Sequence, residues 1–451
     1  MSFYQRLVGG VLFPLHEKLK RHNTLAVHRE LERSQWLSAA ELAELQHKKL
    51  RRFLTRIAET VPYYQRLFAE LSFDPQAVSS AADLQRLPLL DKATIRQHAD
   101  DLKARGANQL KRFNTGGSSG EPLIFYLDNE RVSHDVAAKR RATRWWGVDI
   151  GDSEIVLWGS PIELGSQDKF RLLRDKLFRS ELLSAFEMSE ANLNYFIERI
   201  RQAKPAMLFG YPSSLALLAA HASQKGITMD DLGIKVAFVT SERLYDHQRA
   251  AIEQIFGCPV ANGYGARDAG FIAHQCPENS LHLSAEDIVV EIVDADGKVL
   301  PPGHSGEIVV THMATSGFPF VRYRTGDVGV LSDDLCSCGR GLPVLARVEG
   351  RTTDFVVAAD GTIMHGLALI YVLRDMPEVQ EFRIVQESLL QTRVEVVASP
   401  GAPQSETTRK IQQAFRQRLG ESVDVQIVFV PVISRESSGK YRYVVSKVTT
   451  H

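Results

Sequence analysis

Residues 113–122 read Phe-Asn-Thr-Gly-Gly-Ser-Ser-Gly-Glu-Pro. Thr115, Gly116, Gly117, Ser118, Ser119 and Gly120 stand in a row, so three residues free to adopt positive φ alternate with three hydroxyls. Consecutive backbone N–H groups in such a turn point inward at an anion, and Ser and Thr add donors without bulk. The run is not a Walker loop, because Glu121 and Pro122 stand where that motif needs Lys followed by Ser or Thr. Any lysine that neutralises phosphate must therefore come from elsewhere. A short Gly/Ser run can also be a plain tether. Here it lies between residues 110–113 and the apolar run 123–127, which reads as a strand and would pin the loop in place.

The surroundings set the scale. A chain of 451 residues supports a large core and two or more domains. With 54 basic and 54 acidic residues the net charge is zero, so nothing marks a polyanion-coating surface, and nucleic acid is not expected as a partner. The apolar segment 7–15 contains Pro14 and is far too short to span a bilayer, so no transmembrane segment is expected. It reads as a docked terminal segment, with peripheral membrane contact as the lesser alternative. Four cysteines do not make a disulfide framework in a chain this long, and the expected location is cytoplasmic.

Upstream of the loop, Ser38 and Glu41 form a capping-box pattern before Leu42, Leu45, Leu50, Phe53, Leu54, Ile57 and Val61, and Pro62 stops the run. This predicts one long amphipathic helix whose Lys48, Lys49, Arg51, Arg52 and Arg56 form a solvated face. Residues 1–110 read as a helical lobe. Downstream, strands at 154–158, 206–209, 235–240 and 259–261 alternate with helices at 191–202, 213–226 (Ser213 as its cap) and 246–256. Such alternation predicts a parallel sheet covered by helices, with ligands beyond the strand ends. From residue 281 to about 350 short alternating strands predict a β-rich part. Residues 351–451 hold strand-like runs at 378–385, 392–398 and 425–430 around a helix at 405–419, enough for a small α+β domain. The expected fold class is α/β, with residues 1–350 as a large N-terminal region (1–110, 111–280 and 281–350) and 351–451 as a C-terminal domain.

The Gly/Ser loop resembles the phosphate loop of the adenylate-forming enzymes, in the branch that holds phenylacetate–coenzyme A ligases and their relatives in capsular polysaccharide biosynthesis. Four further stretches follow in that family's order: Tyr264-Gly265-Ala266-Arg267-Asp268, Tyr323-Arg324-Thr325-Gly326-Asp327, Gly350-Arg351-Thr352-Thr353-Asp354 and Ser438-Gly439-Lys440. The resemblance covers residues from about 110 to the C-terminus. It implies ATP as co-substrate, held by residues 115–121 with Thr115 and Glu121 at its ends. Asp327 would take the ribose hydroxyls, Arg351 the same sugar and phosphate region, and Tyr264 and Gly265 the adenine, beside the backbone of Ser241 and Glu242. Lys440 resembles the adenylation lysine. Asp268 would hold Mg²⁺, although it is one methylene shorter than the family's glutamate, and Arg267 replaces a hydroxyl residue. The resemblance also implies that residues 351–451 move as a body, bringing Lys440 to the α-phosphate for only one half-reaction.

Cys276, His282, Cys336 and Cys338 could supply one tetrahedral S₃N zinc site, with His274 a rival for the nitrogen. Spacing alone equally allows scattered reduced cysteines, whereas a similar arrangement in some phenylacetate-ligase relatives implies structural Zn²⁺. Cys258 reads as a small buried hydrophobe. Trp158, Phe209 and Tyr211 either line an aromatic pocket or belong to the core. Two functions follow. One is an AMP-forming ligase that activates a carboxylic acid and passes it to coenzyme A or another nucleophile; the other is a catalytically weak nucleotide- or acyl-binding assembly protein of a polysaccharide pathway.

Overall fold

Ser38 Oγ accepts the Glu41 N–H at 3.3 Å while Glu41 accepts the Ser38 N–H at 2.9 Å, and this reciprocal cap starts the helix Ala39–Thr60. Leu50, Phe53, Leu54 and Ile57 are buried along one side of it, each burial stabilising by about 1.5–3 kcal/mol. Val61 is extended and Pro62 opens the next helix, Pro62–Glu70, as expected for a residue that precedes proline. The cationic face is not simply solvated. Lys49 reaches Glu30 at 2.7 Å and Asp287 at 2.9 Å, and Arg56 reaches Glu130 and the Thr315 carbonyl. Spacing along one helix could not show that acids and carbonyls from distant segments would meet these cations.

The computed structural model describes residues 3–114, 123–158, 169–185, 188, 190–351, 355–360, 363–365, 367–374, 376–433 and 443–448. It divides into two units, Met1–Glu349 and Gly350–His451. Residues 115–122 and Lys440 lie outside the described residues, as do Thr352, Thr353, Asp354 and Ser438-Gly439, and of Arg351 only the backbone is described.

In the first unit β1 (Lys111–Asn114) and β2 (Ile124–Leu127) pair antiparallel with Asn114 opposite Ile124, so the Gly/Ser loop connects the two arms of a hairpin. The main sheet takes β3 (Glu154–Trp158), β4 (Ser180–Ser184), β5 (Met207–Gly210), β6 (Val236–Thr240), β7 (Val260–Ala266), β8 (Gly270–Gln275), β9 (Leu281–Leu283), β10 (Ile288–Val293), β11 (Gly306–His312), β12 (Tyr323–Ser332) and β13 (Val344–Arg351). Their order is β10-β11-β12-β13-β9-β8-β7-β6-β5-β3-β4. From β4 to β7 the pairs are parallel; β7–β8 and β8–β9 are antiparallel. The sequence explains the change. β6 reads Val-Ala-Phe-Val-Thr and is buried throughout, as a parallel strand covered on both faces must be. One face of this half packs Ile155, Leu157, Leu208 and Val239 against the helices Glu190–Ala203, Pro212–Gln224 and Asp246–Phe256. Pro212, not Ser213, opens the second of these, because its fixed φ and missing N–H suit the first helical position. The strands from β8 onward continue the same sheet, so the parallel and β-rich parts share one hydrogen-bonded layer.

The second unit pairs β14 (Phe355–Val357) with β15 (Ile363–His365) and builds a four-stranded sheet from β16 (Val379–Ser388), β17 (Gln391–Ala398), β18 (Asp424–Phe429) and β19 (Val444–Ser446), in the order β18-β17-β16-β19. Its core joins Phe382, Ile384, Val394 and Val396 to Ile411, Phe415 and Leu419 of the helix Gln404–Leu419. Buried Gln386 accepts the Val357 N–H at 2.9 Å and donates to the Val357 carbonyl at 2.7 Å, tying β14 to β16.

Candidate active site

The parallel strand β6 ends at Thr240, and Ser241 follows with φ +71°, a left-handed conformation that is unfavourable for a residue with a Cβ and that recurs at ligand sites. The Glu242 carboxylate accepts the Ser213 N–H at 3.2 Å, meeting the positive end of the helix Pro212–Gln224. On the neighbouring β7, the register shifts between Tyr264 and Gly265. A Cβ on Gly265 would lie 2.2 Å from the Gly270 carbonyl, so only glycine fits there. The shift brings the Tyr264 hydroxyl to Asp327 of β12, donating at 3.0 Å.

Asp327 is aimed by its own irregularity. The β11–β12 register shifts between Glu307 and Val309, and Gly326 takes φ +76°. The Asp327 N–H donates to Thr325 Oγ1 at 3.1 Å, which donates to the Ile308 carbonyl at 2.7 Å. Asp268 sits in the turn between β7 and β8, 8% exposed, and accepts the Tyr323 hydroxyl at 2.5 Å. Arg267 lies over the Phe113 ring, 5.6 Å from its centroid, next to the hairpin that carries the Gly/Ser loop. Beside Asp268 a small pocket between Phe125, Arg131, His312, Phe320 and Tyr323 has room for about one water.

Behind that pocket lies a buried polar network that sequence reasoning missed. Arg131 Nε donates to both Asp135 oxygens at 3.1 Å, and His134 stands 3.5 Å from Asp287, itself paired to Lys49. Burial opposes charge on His134, but Asp135 and Asp287 outweigh it and lift the imidazole to about 9. The paired imidazole and lysine hold Asp287 well below the usual carboxylate range against the opposing effect of burial. About two turns on from His134, the Arg141 guanidinium and the Glu286 carboxylate pair with both side chains fully buried. The visible signal was four charged or imidazole residues at 131, 134, 135 and 141 on a helix that also had to bury Ala137, Ala138 and Ala142.

Cys276, His282, Cys336 and Cys338 come together, with ligand atoms all within 4.8 Å of one another. Cys276 and Cys336 sulfurs are 3.6 Å apart, and Cys338 Sγ is 3.2 Å from His282 Nε2. His282 Nδ1 faces the Leu342 carbonyl at 3.0 Å. That contact places the proton on Nδ1 and leaves Nε2 as a ligand. The Cys338 N–H points at Cys336 Sγ at 3.4 Å, and Gly339 turns the chain with φ +78°. His274 is not in the cluster; it is fully buried, its ring stacked on Phe271. Three thiol sulfurs and one neutral imidazole form the donor set that tetrahedral zinc takes. Cys258 is buried elsewhere, its thiol pushed up to about 12 by burial. Trp158 stacks on Tyr211 with ring centroids 4.3 Å apart and tilts against Phe209 at 5.8 Å.

Residues 185–316 match the family described as AMP-binding enzyme, and residues 356–447 match the CapK C-terminal domain. The chain is 24% identical over 433 residues to Protein CapK of Staphylococcus aureus, covering 95% of this chain and 94% of that one. It is 25% identical over 362 residues to a phenylacetate-coenzyme A ligase of Thermus thermophilus, covering 76% and 77%. Among solved structures, 2-hydroxyisobutyryl-CoA ligase in complex with 2-HIB-AMP shares the fold, with a TM-score of 0.74 at 21% identity over 92% of each chain. These sequence matches support a place for the chain in the adenylate-forming superfamily. Its curated relatives include phenylacetate-coenzyme A ligases and Protein CapK.

Proposed function

We propose that the protein uses ATP to activate a carboxylic acid as its acyl-adenylate and then transfers the acyl group to coenzyme A or another nucleophile. The observation that carries this reading is the hydrogen bond from Tyr264 of β7 to Asp327 of β12, each strand carrying a register shift close by, with Asp268 of the β7–β8 turn accepting the hydroxyl of Tyr323 at the start of β12. In the first step a carboxylate oxygen bonds to the α-phosphorus and the bond to pyrophosphate breaks. In the second the nucleophile bonds to the acyl carbon and AMP leaves. Asp327 accepts the ribose hydroxyls, Tyr264 and the Ser241–Glu242 backbone flank adenine, and residues 115–121 donate N–H and O–H groups to the phosphates. Arg351 and Lys440 add cations to the phosphate region. Asp268 is an oxygen donor suited to Mg²⁺, which when bound neutralises phosphate charge. Cys276, His282, Cys336 and Cys338 would hold Zn²⁺ as a structural cross-link between β8–β9 and the Cys336–Cys338 turn. Reduced thiols and an ATP supply fit the cytoplasm.

A second reading, a catalytically weak nucleotide- or acyl-binding assembly protein, is favoured by the shorter Asp268 and by the match to CapK over nearly the whole chain. Pyrophosphate release measured with ATP, Mg²⁺ and a panel of carboxylic acids separates the two. Acid-dependent release supports the ligase; ATP binding without release for any acid supports the assembly protein.

A further inference from the structure

The first elements of the chain form a nearly continuous helical run, Phe3–Leu7, Val8–Leu12 and Phe13–Leu19. One side is fastened to the body. Val8, Phe13 and Glu17 are buried, Gln5 donates to Asp152, and Phe13 meets Phe178 edge-on at 6.0 Å. That attachment settles which side faces out, and the outward side is apolar: Phe3, Val11, Leu15 and Leu19 are exposed by 84%, 54%, 54% and 76%. The last three are spaced i, i+4, i+8, so they form one stripe.

The stripe has a neighbour. Tyr4 donates to the Leu177 carbonyl at 2.9 Å, which sets the helix Lys169–Leu177 alongside, with Leu173 and Leu177 also exposed. Including Tyr4, seven of the sixteen large hydrophobics exposed among the described residues fall in these two segments.

Charge decides what covers them. Residues 1–29 carry Arg6, Lys18, Lys20, Arg21 and Arg29, all exposed, while their single acid, Glu17, is buried. Lys176 is exposed on the neighbouring helix. In a chain of zero net charge this is a strongly one-sided region. A second copy of the chain would have to bury Lys18 between Leu15 and Leu19 in the middle of the contact, where lysine is disfavoured. At a bilayer surface the same lysine rests its stem on the apolar layer and its ammonium among phosphates. No helix among the described residues is long and apolar enough to cross a membrane, and this one is built to lie along it.

We infer that the N-terminal helical run, with the adjoining Lys169–Leu177 helix, is a docking surface for an anionic membrane, on which the enzyme lies without being inserted. Flotation of the full chain with vesicles of phosphatidylcholine plus phosphatidylglycerol, and of phosphatidylcholine alone, tests it. Wild type should float with the anionic vesicles only and be released as salt is raised. Val11→Glu with Leu15→Glu should cut the bound fraction about tenfold or more, and Lys18→Glu with Lys20→Glu should cut it about fivefold per cation, both with unchanged melting temperature because these side chains point outward. The inference is overturned if wild type ignores both vesicle types, if the glutamate variants bind as well as wild type, or if the stripe instead holds a dimer that Leu15→Glu dissociates.

Discussion

Replacing Asp327 by alanine probes the proposed nucleotide site at its most specific point. The carboxylate stands on strand β12, where the Asp327 backbone N–H is held through Thr325 Oγ1 to the Ile308 carbonyl, and it accepts the Tyr264 hydroxyl at 3.0 Å. A carboxylate that takes both ribose hydroxyls makes two charge-assisted hydrogen bonds of about 1.5–3 kcal/mol each. Water entering the vacated space in the variant recovers roughly half of that, leaving a cost of about 1.5–3 kcal/mol, or about a 10- to 150-fold loss of ATP affinity. Tyr264→Phe removes only a supporting donor and should cost about fivefold or less. Isothermal titration with ATP reads both, and thermal melts check that neither variant has unfolded. ATP affinity in Asp327→Ala within about twofold of wild type would falsify the assignment of the ribose to Asp327.

Protein purified without chelator should carry a single zinc, and Cys336→Ser should lose it together with several degrees of melting temperature; full metal content in that variant counts against the site. Lys440→Ala should slow acyl-adenylate formation about a hundredfold or more yet leave acyl transfer from a supplied acyl-adenylate largely intact, and equal losses in the two half-reactions would show that Lys440 is not the adenylation cation. His134 carries a pH signature. Its folded value of about 9 lies above the ordinary 6.5, so its contribution is full below about 6.5 and is lost as pH rises through about 9. The stability difference between wild type and His134→Gln in urea melts should therefore shrink across that window, and parallel curves would refute it.

Local chemistry was the legible part. The Ser38–Glu41 cap, the helix that Pro62 ends, and β6 as a continuous apolar run are each set by neighbours in the chain, and the structure returns them within a residue or two. Motif order identified the superfamily. Pairing between distant segments was less legible. That β9 would lie between β8 and β13, drawing residues 260–350 into the same sheet as the parallel strands, depends on contacts across tens of residues that no local pattern encodes. The network around His134 was hidden for the same reason: its acids come from residues 135 and 287, and only the folded chain shows that they flank one imidazole. His282 could not be separated from His274 by spacing. The two are opposite each other on paired strands, and because β9 rather than β8 borders β13, which follows the Cys336–Cys338 turn, His282 is the one that meets the thiols.

The sheet order also governs how the protein can be cut. A fragment ending near residue 280, where strand–helix alternation gives way to short strands, would remove β9 and leave β8 with one whole row of amides and carbonyls bare. Such an edge recruits strands from other molecules. Limited proteolysis aimed at separable pieces, or split-protein reassembly, therefore has its natural seam just past the end of β13, where the first unit gives way to the second, and fragments broken inside the sheet should aggregate when expressed alone.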